Sequence, residues 1–286
     1  MANRIIAFCH IPKVAGSTLR YLLCRHFGIR HACLYDPRHA PRREYFPRDL
    51  RVDIKVYPFV ESLAGHHLRP YVNFEEFEDR LAWYTVLRDP IKRFVSQYTY
   101  TVERLRKLTD FRTWMRTEAK SNLMVRFMAG CEDLERAKET LAGKVKFVGL
   151  TEKFNESLVL MRHVLELEEF NVSYPRPMNT SARRKGSLQH DVMANFDEFR
   201  DEVIEMNRLD MELYDFAVRE IWPEQAAKYG QKKLKEDAAE QCRPRRMGFL
   251  ELMRLGGSAA YNNLVWKPSR WFDRDRYKDI HTSIMQ

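Results

Sequence analysis

The sequence predicts an α/β domain in which a mainly parallel sheet is covered by helices on both faces. Two observations lead there. Three apolar, β-type runs, at residues 4–11, 83–88 and 145–150, are each followed by a segment with helical spacing. Strand, helix and next strand in that order call for right-handed crossovers, which pair strands in parallel. Two of the strand ends also carry a basic residue, Lys13 and Arg88. Ligands bind beyond the carboxyl ends of such sheets. The 286 residues, 44% of them hydrophobic, are enough for one substantial core.

The first unit opens with Arg4-Ile5-Ile6-Ala7-Phe8-Cys9-His10-Ile11, breaks at Pro12-Lys13 and enters Val14-Ala15-Gly16-Ser17-Thr18. Leu19, Leu22, Leu23 and Phe27 then recur at helical spacing, predicting a helix from Ser17 to Phe27 with Gly28 as its C-cap. Residues 29–58 are rich in arginine and proline and read as a long loop, with at most a short strand.

Trp83 to Arg88 is the second strand. Asp89 suits an N-cap and Pro90 the first helical position, and Ile91, Phe94, Val95, Tyr98, Val102 and Leu105 trace one apolar face to about Lys107. The third unit has Val145–Leu150 as a strand and Asn155 as the N-cap of a helix through Leu165. A longer helix is predicted from Val192 to Arg219. Residues 1–229 are thus expected to form the main domain. Residues 230–286, basic and containing Trp266 and Trp271, are expected to be a mixed helical extension joined through a linker among the basic residues Lys232, Lys233, Lys235, Arg243, Arg245 and Arg246. Packing against the main domain is its expected role, with an oligomer contact or a peripheral membrane contact as alternatives.

Composition excludes several classes. No apolar run reaches the ~18 residues of a membrane span, and the N-terminus lacks the layout of a signal peptide. A bacterial-type cytoplasmic protein is expected, with a trimmed Golgi-lumenal domain as the other reading. The five cysteines, Cys9, Cys24, Cys33, Cys131 and Cys242, are odd in number and form no Cys-x-x-Cys pair, so spacing predicts neither a disulfide framework nor a zinc site. The formal charge of +9 favours an anionic ligand without choosing among nucleotide, acidic glycan, nucleic acid and membrane surface.

The turn from Pro12 to Thr18 narrows the choice. It places a lysine, a glycine and two hydroxyls at the positive end of a helix, which suits a phosphate. It is not a Walker A loop, because the lysine precedes the glycine and the first glycine is missing. A P-loop kinase would also need an aspartate for Mg²⁺, and none stands out. A non-catalytic binder of nucleic acid or acidic glycan would interleave its basic residues with exposed aromatics.

Here the residues reach a family. His10-Ile11-Pro12-Lys13-Val14-Ala15-Gly16-Ser17-Thr18-Leu19 closely resembles the 5′-phosphosulfate loop of carbohydrate sulfotransferases of the heparan sulfate 2-O-sulfotransferase type, sulfotransferase family 2. Tyr84 to Tyr98 resembles the same family's 3′-phosphate segment, and Phe147 to Phe154 is also similar to family sequence. The likeness covers residues 4–190.

The resemblance implies a P-loop NTPase-like parallel sheet and transfer of a sulfuryl group from 3′-phosphoadenosine 5′-phosphosulfate (PAPS) to an acceptor hydroxyl, most readily that of a carbohydrate or glycoconjugate, leaving PAP. No metal and no nucleic acid is implied. Pro12, Lys13, Ala15, Gly16, Ser17 and Thr18 would form the 5′-phosphate loop, with Lys13 following charge onto the leaving group. Arg88 and Ser96 would take the 3′-phosphate, and the basic run Arg183, Arg184 and Lys185 would fold over the cofactor. Gly65-His66-His67 resembles the element carrying the catalytic histidine, which points to His66 as general base, with His67 adjacent.

Overall fold

The computed structural model describes residues 4–34, 44–174 and 198–266. Five strands, β1 (Ile5–Cys9), β2 (His31–Leu34), β3 (Ser62–Gly65), β4 (Leu81–Leu87) and β5 (Val145–Leu150), form one sheet in the order β2-β3-β1-β4-β5. Every pairing is parallel. All of these strand residues are buried except Lys146, which is what a sheet covered on both faces requires.

The first helix, α1 (Gly16–Phe27), carries the chain from β1 to the edge strand β2, while α2 (Pro47–Val56) brings it back to β3. The connection from β4 to β5 runs the other way through α3 (Pro90–Glu103), α4 (Phe111–Thr117), α5 (Leu123–Ala129) and α6 (Leu134–Glu139). Right-handed crossovers in opposite directions put α1 and α3 on opposite faces, so the sheet divides between β1 and β4. That division is the topological switch point, and it lies between the Lys13 and Arg88 turns.

After β5 come α7 (Phe154–Val164), α8 (Arg200–Met206), α9 (Arg208–Phe216), α10 (Trp222–Tyr229), α11 (Gln231–Gln241) and α12 (Phe249–Tyr261). One core surrounds the sheet and extends to Leu234 and Ala238 of α11 and to Cys242 at its C-cap. A second cluster, Phe94, Val95, Tyr98, Phe111, Trp114, Met115 and Val203, binds α3 to α4 and α8. Among the described residues no helix is long and apolar enough to cross a membrane.

Several local expectations are corrected. Residues 29–58 contain β2 and α2: Pro47 starts the helix, the Asp49 carboxylate accepts from the Phe46 N–H at 2.8 Å, and buried Asp53 accepts from the Tyr45 hydroxyl at 2.6 Å. The third helix stops at Glu103, before Arg106 takes a positive φ of 55°. Asn155 does not cap α7, which begins at Phe154; its Oδ1 instead accepts from the Tyr174 hydroxyl at 2.6 Å. The single helix expected to Arg219 is broken at Asn207, whose side chain donates to the Val203 carbonyl and so competes with the helical ladder. Its first residues, 192–197, lie outside the described residues. The basic stretch after Gly230 is helical, as α11.

Candidate active site

The site is built from three neighbouring strand ends. Cys9 pairs with both Gly65 and Thr85, so the residues that follow β1, β3 and β4 leave the sheet side by side. Gly65 is needed because a Cβ there would lie 2.7 Å from the Leu34 Cβ on the next strand. The Thr85 hydroxyl donates to the Cys9 carbonyl at 2.9 Å and ties β4 to the last residue of β1.

After β1 the backbone curls. Lys13 and Ala15 have φ of 73° and 64°, left-handed conformations that cost non-glycine residues about 1–2 kcal/mol each and that cluster at ligand-binding turns. Ala15 is the N-cap of α1 and gives it no side-chain cap. A helix N-terminus with its dipole uncapped by a side chain, preceded by alternating backbone handedness, is an anion cradle. Gly16 opens α1 where a Cβ would fall inside the His10 imidazole. The histidine ring therefore occupies the volume that glycine leaves.

His10 itself is buried in a run of rings: Tyr84 stacks on Phe8, Phe8 stacks on His10 at 5.0 Å, and His10 lies 4.3 Å from the His66 ring. Burial, then the charges of His66, Arg20 and Lys13, hold its pKa well below the ordinary value and keep it neutral. Its carbonyl oxygen is 2.7 Å from Nδ1 of His66. A carbonyl can only accept, so Nδ1 of His66 carries the proton and Nε2 the lone pair. Burial lowers the His66 pKa to about 4, with the His67, Arg69 and Lys13 charges acting the same way and the His10 hydrogen bond opposing them.

Arg88 joins the two halves. Its Nη1 donates to the Lys13 carbonyl at 2.9 Å, so the guanidinium that ends β4 holds the turn that follows β1. The Lys13 ammonium lies 4.2 Å from the centre of the Tyr100 ring, on α3. Burial, followed by Arg88 and Arg104, lowers its pKa to about 8, while Glu103 opposes them. Ser96 is buried on α3, and Asp89 caps that helix by accepting from the Lys92 N–H at 2.9 Å. Ser17 and Thr18 begin α1, with the Thr18 N–H on the Ala15 carbonyl at 3.1 Å. Pro12 leads into the turn. Arg183, Arg184 and Lys185 lie outside the described residues.

Three groups here escape a motif reading. Arg69, buried against the Phe127 ring at 3.3 Å with Nη1 lacking a partner, adds positive charge beside His66 and Cys9. Tyr100 and Arg104 frame the Lys13 ammonium. Tyr100 does sit one helical repeat beyond Ser96 and Gln97, which is a signal visible in the sequence once α3 is known to face the turn. Arg69 follows β3 in an irregular segment and offers no such pattern.

An uncapped helix start, two basic strand ends and a neutral histidine gathered at the switch point of a parallel sheet make this an α/β protein with a site suited to an anionic ligand. More particularly, the chain belongs to the Sulfotransferase family, whose model matches residues 3–217, and so to the enzymes of sulfuryl transfer. No curated protein matches it.

Proposed function

We propose that the protein transfers the sulfuryl group of PAPS to a hydroxyl of a carbohydrate or glycoconjugate. The observation that carries this reading is the Arg88 hydrogen bond to the Lys13 carbonyl, which makes one anion-binding surface from two strand ends. PAPS carries two separated phosphate groups, and the 3′-phosphate sets it apart from ADP-like nucleotides. The Lys13–Thr18 turn suits the 5′ end and the Arg88 and Ser96 side the 3′-phosphate.

When bound, PAPS supplies the sulfuryl group. Lys13, half-buried and held beside Tyr100, is placed to neutralise charge growing on the 5′-phosphate oxygen as the bond to sulfur breaks. His66 accepts the acceptor's hydroxyl proton at Nε2, its Nδ1–H fixed on the His10 carbonyl. With a pKa of about 4, His66 is a weak base in the free protein. Its depression owes part to the positive charges of Arg69 and Lys13. A polyanion bound beside them offsets those charges and raises its basicity. His66 and Lys13 are thus coupled through the donor.

Thermal shift with PAP, with ADP and Mg²⁺, and with heparin tests the reading. Stabilisation by PAP well beyond ADP, followed by turnover of radiolabelled PAPS onto a glycan acceptor panel, is expected. Stabilisation by ADP with Mg²⁺ and none by PAP overturns it.

A further inference from the structure

At the β2 edge of the sheet the fold gathers a second chemical cluster. Cys24 lies one turn before the end of α1; the chain turns through Gly28–Arg30 and returns as β2, whose His31 and Cys33 alternate onto one face. One ligand atom from each of Cys24, His31 and Cys33 lies within 4.8 Å of the others. His31 is fully buried: its Nδ1 is 2.9 Å from the Ser62 hydroxyl on β3, and its Nε2 has no hydrogen-bond partner. From the covering side, Ser258 of α12 is buried and hydrogen-bonds the Cys24 thiol.

We infer that Cys24, His31 and Cys33 supply three ligands of a zinc ion, with Nε2 of His31 as the nitrogen ligand and a solvent molecule in the fourth position beneath α12. Tetrahedral zinc, with bonds of about 2.3 Å to sulfur and 2.0 Å to nitrogen, places its ligand atoms roughly 3.5–3.8 Å apart. The three ligand atoms lie within 4.8 Å of one another, so reaching that spread asks for shifts of about 1 Å. Ser62 supplies what a zinc-bound histidine needs behind it: a hydroxyl that accepts the Nδ1–H, fixes the tautomer and leaves the Nε2 lone pair for the metal. A buried imidazole nitrogen with no partner of its own is what an ion would satisfy. Two thiols and an imidazole are borderline-soft donors, the set that zinc takes in preference to magnesium or calcium. Two thiolates cancel the charge of Zn²⁺, and each thiol gives up its proton to solvent on binding, so no oxidant is involved.

The cluster is not part of the candidate active site. His31 pairs with Ser62, three residues before Gly65 and therefore about 10 Å back from the strand ends. Its place is between α1 and β2, beneath Ser258 of α12, where a metal fastens α1 to the edge strand of the sheet. The ligand order Cys-x₆-His-x-Cys has no paired Cys-x-x-Cys, so spacing alone conceals it.

The test uses the full chain, loaded with zinc, stripped of loose metal and measured by plasma mass spectrometry. One zinc per chain is expected, together with the intense visible bands of tetrahedral thiolate coordination when cobalt replaces it. Cys24→Ser, Cys33→Ser and His31→Gln, each checked for folding by circular dichroism, should lose the metal, while exposed Cys131→Ser keeps it. For any variant that fails to fold, the wild type answers instead: a mercurial titrant should release the zinc as Cys24 and Cys33 become modified. A folded wild type that binds no zinc or cobalt overturns the proposal. So does metal retained in all three variants, or a Cys24–Cys33 disulfide in freshly isolated protein.

Discussion

Lys13 ties the candidate site's electrostatics to a measurable pH dependence. Its ammonium loses its proton near pH 8 in the free protein, while a bound polyanion favours the charged form. Below about 8 the lysine is already protonated and PAP affinity should be flat; above it, binding must take up a proton, and affinity should fall by up to about tenfold per pH unit. Lys13→Ala should bind PAP more weakly and show no such limb. Isothermal titration across that range decides it, and an identical limb in Lys13→Ala would assign the titration to another group. A second residue-level prediction concerns Gly16. Because its missing Cβ is where the His10 ring sits, and that ring is held against Phe8 and His66, Gly16→Ala must displace His10 and the carbonyl that orients His66. Misplacement of about 1 Å near the chemistry is worth about 100-fold, so turnover should fall by at least that much. Steady-state assay of the folded variant checks it, and wild-type turnover would mean the ring has room to move.

At the scale of elements, the helices beyond β4 hang on one buried carboxylate. Asp210 of α9 accepts from the Met124 and Val125 N–H groups at 3.0 and 2.8 Å, capping α5, while Asn122, beside that cap, accepts from the Leu209 N–H at 3.0 Å. Burial raises the Asp210 pKa and the charge of Arg93, buried on α3, opposes that rise. Asp210→Ala removes both capping hydrogen bonds of α5 and the negative charge that offsets Arg93, so it should cost about 2 kcal/mol or more. Chemical denaturation reads this as a lower midpoint at unchanged slope; a loss under about 1 kcal/mol would show that the pair contributes little. None of this network is visible in the sequence, because Asp210 and Arg93 are 117 positions apart and have no motif spacing. What is visible follows from local periodicity: β4 and β5, the Asp89-Pro90 start of α3, and the Lys13 turn. β2 is foreseen only as a short strand within a loop and β3 escapes notice, because four residues buried on both faces give no alternation to read. The candidate site divides the same way. Lys13, Arg88 and His66 sit at strand ends or motifs, whereas Arg69 and Tyr100 are brought in by the fold.

At the scale of the whole molecule, the question is whether residues 230–266 form an appendage or complete the fold. Leu234 and Ala238 of α11 and Cys242 at its C-cap belong to the main core cluster, and α11 packs beside α7. On the other side, α12 lies over the end of α1, where Glu251 accepts from Asn171 at 2.6 Å and stands 3.6 Å from the buried Arg25 guanidinium. Arg25 also donates to the Asn171 carbonyl, so one cation holds α1, the segment after α7 and α12 together. Deleting residues 230–286 would expose the apolar faces under α11 and leave a buried arginine without its carboxylate. The second loss alone is worth about 3–5 kcal/mol, and uncovering core residues adds about 1.5–3 kcal/mol for each large side chain. Against a total stability of about 5–15 kcal/mol, the shortened chain should lack a cooperative transition even with PAP present. Calorimetry of the 1–229 fragment beside the full chain is the measurement. A fragment that unfolds cooperatively within a few degrees of the full chain would show that the sheet carries its own core and that α11 and α12 only rest upon it.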